Sequence, residues 1–249
     1  MSKSGIMVAL VFSMVLCGGP GWAGWKDFLG TITGREAPVQ SEQAGSLAEP
    51  EIASGLKQAL DQGIRNAVRS LGQRDGFLQN PKVRIPMPDQ LEPLETVARS
   101  LGQGEMADQF VRSMNRAAEK AVPETLDILT DALRQMSLAD ARSILNGPAD
   151  AATRYFERTS RDELAGRINP IVSEATNSVG VTQRYKNLVQ KADPLTGMLG
   201  SRDSLDVDGY VTGKTLDGLF LLMAEEEQRI RENPAARTTE LLQKVFGWE

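Results

Sequence analysis

Histidine is missing from this chain altogether, and cysteine occurs once, at position 17. Those two gaps remove more chemistry than any motif adds. Without histidine there is no Ser–His or Cys–His nucleophile and no imidazole ligand for zinc or haem. Cys17 stands alone inside an N-terminal apolar stretch, so the rest of the chain has no thiol for redox work and no disulfide. Aromatic residues make up only 5%, and no basic stripe is interleaved with them, which excludes the usual footprint of a nucleic-acid partner. The net charge is −5, with no block of like charge long enough to serve as an interaction tail. Any catalysis must rest on Asp, Glu, Lys, Arg, Tyr or Ser, and no cofactor or metal is predicted.

What is present begins with a leader of export type. The stretch "MSKSGIMVALVFSMVLCGGPGWAG" opens with Lys3, runs apolar from Ile6 to Leu16 and breaks at Gly18, Gly19 and Pro20. Gly21 and Ala23 then stand at −3 and −1 of a cleavage site. The pattern predicts a signal peptide over residues 1–23 and a periplasmic product. Its apolar core is too short for a permanent membrane span. Cys17 raises a second reading, a lipoprotein, which is disfavoured because Leu16 rather than a small residue precedes it. Residues 24–49 are rich in Gly, Ser, Glu and Gln and read as a flexible linker, with Trp25 and Phe28 placed for peripheral membrane contact.

From Pro50 a period of three to four residues takes over. Ile52, Leu56, Leu60, Ile64, Val68 and Leu71 mark a first helix ending at Gly72. Similar patterns predict helices over 89–101 (Leu91, Leu94, Val97), 104–121 (Met106, Phe110, Met114) and from Pro123 onward. Ser137 with Asp140 resembles a capping box; so does Ser160 with Glu163, which divides "PADAATRYFERTS" from a following helix that Pro170 should kink or break. Further helices are expected over 181–192, 208–232 and 234–246. Between the first two helices, Val83, Ile85 and Met87 alternate with Lys82, Arg84 and Pro86, so residues 82–88 read as an extended, proline-rich segment laid over the bundle. The prediction is an all-α domain over 50–249, a single bundle of about nine or ten helices.

Four stretches are candidates for chemistry. "LDVDGYV" has a faint likeness to a calcium loop, with Asp206 and Asp208 at ligand positions, but Ser204 and Thr215 stand where stronger ligands belong; an acidic helix N-terminus is the plainer reading. In "SMNRAAEKAVPE", Asn115 and Glu119 fall opposite the apolar face of their helix with Arg116 at the flank. They form either a solvated face with local ion pairs or the lining of a pocket under a second layer. "GPADAATRYFERTS" sets Tyr155 among Asp150, Arg154 and Arg158, an arrangement for an anion or a ring, or an ordinary core aromatic. In "LDGLFLLMAEEEQRIRE", Glu225 and Glu227 each have an arginine four residues on, Arg229 and Arg231, and are expected to be surface carboxylates. Glu226 flanks the apolar stripe with Ile230 at that position, so it is predicted to need a partner from another helix, with Arg116, Arg158 and Arg237 as candidates.

The segments "DGFLQNPKVRIPMP", "SMNRAAEKAVPE", "LNGPADAATRYFERTS" and "KTLDGLFLLMAEEEQRIRENPAARTTELLQKVFG" together resemble an uncharacterised family of exported bacterial proteins, domain of unknown function 4197, over about residues 50–247. The resemblance implies an export signal, a mostly helical domain and no assigned activity or catalytic residue. It places Asn115, Arg116, Glu119, Asp150, Tyr155, Asp217, Glu226 and Arg237 inside family-like blocks. With Arg158 they are the predicted ligand or partner site. The leading expectation is a periplasmic protein that binds an envelope protein or small ligand. The alternatives are a carboxylate-dependent glycan hydrolase, and a lipid carrier motivated by Met106, Met114, Met136 and Met223.

Overall fold

The structure, a computed structural model, describes residues 49–100, 102–178 and 206–232. Every described residue belongs to one compact unit, Leu47–Glu249. The described residues are all-α, with no strand. Their helices are α1 (Glu49–Gly72), α2 (Glu92–Ser100), α3 (Gly104–Ala121), α4 (Leu126–Gln135), α5 (Leu138–Leu145), α6 (Ala151–Ser178) and α7 (Val207–Glu232). Short 3-10 turns at Asp89–Leu91 and Val122–Thr125 lead into α2 and α4. The expected total of about nine or ten helices is not reached among these residues. The helices expected over 181–192 and 234–246 lie outside them.

One expected boundary does not exist. Ser160 does not cap a helix; it lies buried in the middle of α6, which runs unbroken through Pro170. The reason is a row of buried residues at strict four-residue spacing: Ala152, Phe156, Ser160, Leu164, Ile168, Val172 and Thr176. At about 100° per residue each step drifts about 40°, so the row winds some 240° around the helix. Successive turns therefore meet different neighbours, and α6 packs on α7, α3, α4 and α5 in turn. Burial on all those partners outweighs the local capping pattern, and Pro170 sits on the exposed face. The other capping box forms as expected: the Asp140 N–H donates to the Ser137 hydroxyl, and the Ser137 N–H donates to the Asp140 carboxylate.

The main core is one cluster to which every helix but α2 contributes, with Ala59 and Ile230 forming a small second one. In α1, Leu56, Leu60, Ile64, Val68 and Leu71 are buried as their spacing predicts. In α2 the phase differs: Val97 is 46% exposed and Ala98 faces inward. Helix α3 is buried well beyond its expected face, because Val111, Asn115, Ala118 and Glu119 join Phe110, Met114 and Ala117 inside. Helix α7 is central, in contact with α6, α1 and α3.

Two substitutions calibrate this packing. A Cβ at Gly63, in the middle of α1, would lie 3.5 Å from Glu226 Cβ and 3.7 Å from Ile230 Cδ1, ordinary contact distances. Gly63→Ala should stabilise the protein by about 1 kcal/mol through helix propensity and reduced unfolded-chain entropy. Leu164→Ala, at a fully buried position of the winding row, should cost about 2–5 kcal/mol. Denaturant titration of the two variants checks both signs.

Candidate functional site

The irregular segment between α1 and α2 is held down by polar side chains of α3. The chain first folds back on the end of α1. A Cβ at Gly76 would fall 2.4 Å from the Ser70 carbonyl oxygen and 2.5 Å from that of Leu71, so only glycine permits this approach. Asp75 beside it takes the left-handed conformation, with φ of 69°. Glu119 Oε1 then accepts hydrogen bonds from the N–H groups of Phe77 and Leu78, each 3.2 Å long. Its second oxygen meets Arg116 at 2.5 Å, and Arg116 reaches on to Asp75 at 2.6 Å.

Asn115 holds the extended part. Its Oδ1 accepts from the Ile85 N–H at 2.9 Å, and its Nδ2 donates to the Ile85 carbonyl at 2.8 Å. One side chain thus supplies what a neighbouring strand would, and it also donates to the Val111 carbonyl within α3. The alternation expected at 82–88 is present: Val83, Ile85 and Met87 are buried while Lys82, Arg84 and Pro86 are exposed. This strap crosses α7 at Gly218, where a Cβ would come within 2.9 Å of the Phe77 ring and 3.2 Å of Val83. Lys82 pairs with Glu225 at 2.8 Å, and the Tyr210 hydroxyl donates to the Pro86 carbonyl.

The three consecutive glutamates of α7, Glu225 to Glu227, have three separate tasks, and the expected division among them is corrected. Glu227, expected at the surface, is buried. Its carboxylate accepts from the Ala152 and Thr153 N–H groups and the Thr153 hydroxyl, all at 3.0 Å, and from Arg231 at 3.0 Å. It caps α6, whose first N–H groups have no partner within their own helix and whose dipole favours an anion. Glu226, expected to be the buried one, keeps 20% side-chain exposure and pairs with Arg229. Its partner from another helix is Asn66, at 3.1 Å, rather than Arg116 or Arg158. Glu225 goes to Lys82 and not to Arg229. The signal for Glu227 is legible in retrospect: Leu216, Phe220, Met223, Glu227 and Ile230 alternate in steps of four and three, so the glutamate occupies a core position.

The other predicted residues find local partners. Asp150 pairs with Arg154, and Asp217 with Arg161, at 2.8 and 2.5 Å. Tyr155 is half-buried, edge-on to Phe156, with the Arg158 guanidinium 5.8 Å from its ring centre. Burial, then the Asp140 charge, raises the Tyr155 phenol above its ordinary pKa, so it is no phenolate at neutral pH. Arg237 lies outside the described residues. Of the nine, Asn115, Arg116 and Glu119 are brought together, and they hold the strap. In the calcium-like stretch, Asp206 accepts from the Gly209 N–H, Asp208 accepts from the Thr176 hydroxyl, and the Thr215 hydroxyl donates to Val211. Among the described residues no three His, Cys, Asp or Glu side chains gather as a metal set.

An open groove lies elsewhere among the described residues. About 590 Å³ in volume, it runs between α1 and α4 to the start of α5, lined by Lys57, Asp61, Arg65, Leu133, Arg134 and Leu138 among others. None of the nine predicted residues lines it, and no sequence pattern singled it out, because its walls come from segments some 70 residues apart.

The family model described as Protein of unknown function (DUF4197) matches residues 46–247, and the chain belongs to that family. No curated protein and no solved structure matches it.

Asn115→Leu should strand the Ile85 N–H and carbonyl in the interior and cost about 2–4 kcal/mol. Glu226→Gln, at a half-buried ion pair, should cost less than about 1 kcal/mol. Native-state hydrogen exchange gives the sharper check: in Asn115→Leu the Ile85 amide should lose protection first. A larger loss in Glu226→Gln contradicts this assignment.

Proposed function

We propose that this DUF4197 member is an exported envelope protein that works by binding a partner, with no chemistry of its own on a substrate. The observation that carries the reading is the use made of its buried carboxylates. Glu119 and Glu227, the buried acids among the described residues, both accept from backbone N–H groups and from an arginine. A carboxylate so engaged is committed to the fold and is poorly placed to give a proton to a substrate.

Export rests on the leader over residues 1–23, with cleavage after Ala23 favoured over lipidation at Cys17. Glycan hydrolysis needs two carboxyl groups facing one cleft, one of them kept protonated. The open groove offers Asp61, which is tied to Arg65 at 2.8 Å. Lipid carriage is favoured less than binding, since Met114, Met136 and Met223 are part of the continuous core.

Cell fractionation with N-terminal sequencing tests the first half: a periplasmic product beginning at Gly24 is expected, and a cytosolic product retaining the leader sinks it. Photo-crosslinking of the full chain in intact cells tests the second half, and should trap a discrete envelope protein. Turnover of purified cell-wall glycan by the isolated protein, abolished by a single carboxylate substitution that leaves the melting temperature unchanged, would overturn the binding reading.

A further inference from the structure

We infer that the α1–α4 groove is the docking site, and that its occupant is an acidic segment of a partner polypeptide carrying an apolar side chain between two carboxylates. This rests on the binding reading above and assigns it a surface. The groove's volume, about 590 Å³, falls in the range of ligand sites, yet it is open along its length. A small molecule would keep much of its surface in water there, whereas a chain laid along the groove would fill it.

Charge selects the occupant. The protein is acidic overall, with 33 Asp and Glu against 28 Lys and Arg, but the groove reverses the sign. Three cations, Lys57, Arg65 and Arg134, line it against one carboxylate, Asp61. Asp61 is already bound by Arg65 through Nε and Nη2. Arg134 pairs with Asp131 at the rim. Lys57 is different: its ammonium donates to the Arg134 carbonyl at 3.1 Å, and no carboxylate among the described residues neutralises it. The bond to that carbonyl at the end of α4 holds an exposed positive charge in place, with no counter-ion among the described residues.

Spacing selects the pattern. Lys57 and Arg65 are two turns apart on one face of α1, about 12 Å along the groove. In an extended chain, side chains at i and i+4 point the same way about 13 Å apart, with i+2 between them on the same side. An Asp–x–Leu–x–Asp segment therefore sets one carboxylate against Lys57 and the other against Arg65, which it shares with Asp61. Its central side chain has apolar surface to meet: Leu133 in the wall, and Leu138, 49% exposed at the first position of α5.

The test is fluorescence anisotropy with a labelled peptide of about a dozen residues carrying Asp-Ser-Leu-Ser-Asp twice, against the same peptide with lysine for aspartate. The purified protein should bind the acidic peptide saturably, ignore the basic one, and lose affinity in half-molar salt. Lys57→Gln, which keeps a donor for the Arg134 carbonyl, combined with Arg65→Gln should weaken binding at least tenfold while the melting temperature holds. Leu138→Ser, at an exposed site, should weaken it severalfold without loss of fold. Equal binding of both peptides, or unchanged affinity in the double variant, overturns the assignment; so does capture on phosphatidylglycerol vesicles in place of peptide. If the double variant still crosslinks the envelope partner in cells, the groove is wrong and the binding reading survives. If wild-type protein crosslinks nothing, the binding reading itself falls.

Discussion

An irregular segment that crosses a helical core must have its backbone N–H and carbonyl groups satisfied by something, and here α3 does it with two side chains. Helices satisfy their own backbones; a proline-rich strap cannot, and each buried group left without a partner costs on the order of 1–3 kcal/mol. Asn115 serves both backbone groups of Ile85, and Glu119 serves the N–H groups of Phe77 and Leu78. With those bonds made, Phe77 and Ile85 become fully buried core residues, and the strap can press on α7 at Gly218. Two polar side chains and one missing Cβ thus set how the strap sits against α3 and α7.

The same device recurs near the C-terminal end of α7. Glu227 accepts from the first N–H groups of α6 as Glu119 accepts from the strap. Each buried acid stands next to an arginine on its own helix, Arg231 and Arg116 respectively, so neither charge is left uncompensated. Asn115, Glu119 and Glu227 thus join segments that are far apart in sequence. That is also why they resemble catalytic residues when read along the chain: acids, amides and arginines in a helical block are the vocabulary of both jobs.

Much of this was legible in advance where the information was local. The α1 stripe, the period-two alternation at 82–88 and the Ser137–Asp140 cap depend on near neighbours, and all three are present. The failures share a cause. Ser160 with Glu163 satisfies a capping pattern, but Phe156 and Leu164 on either side are drawn into the core, and a helix end there would break the buried row. Glu226 and Glu227 are adjacent and chemically identical; which one is buried was decided by where the N-terminus of α6 falls. Asn115 and Glu119 were placed on one face correctly, with either water or a second layer above them. The second layer is the strap.

By itself, then, the order of residues determined the helical class, the stop at Gly72, the extended character of the strap and the chemistries closed to a chain without histidine. Those follow from short-range sterics, periodicity and the list of functional groups. Only the tertiary structure decided which acid is buried, which amide replaces a strand, and that two ordinary amphipathic helices leave a cationic groove between them on an acidic protein. Each of those depends on groups far apart in sequence and close in space. Burial and electrostatics act on distance through space, so no local pattern could carry them.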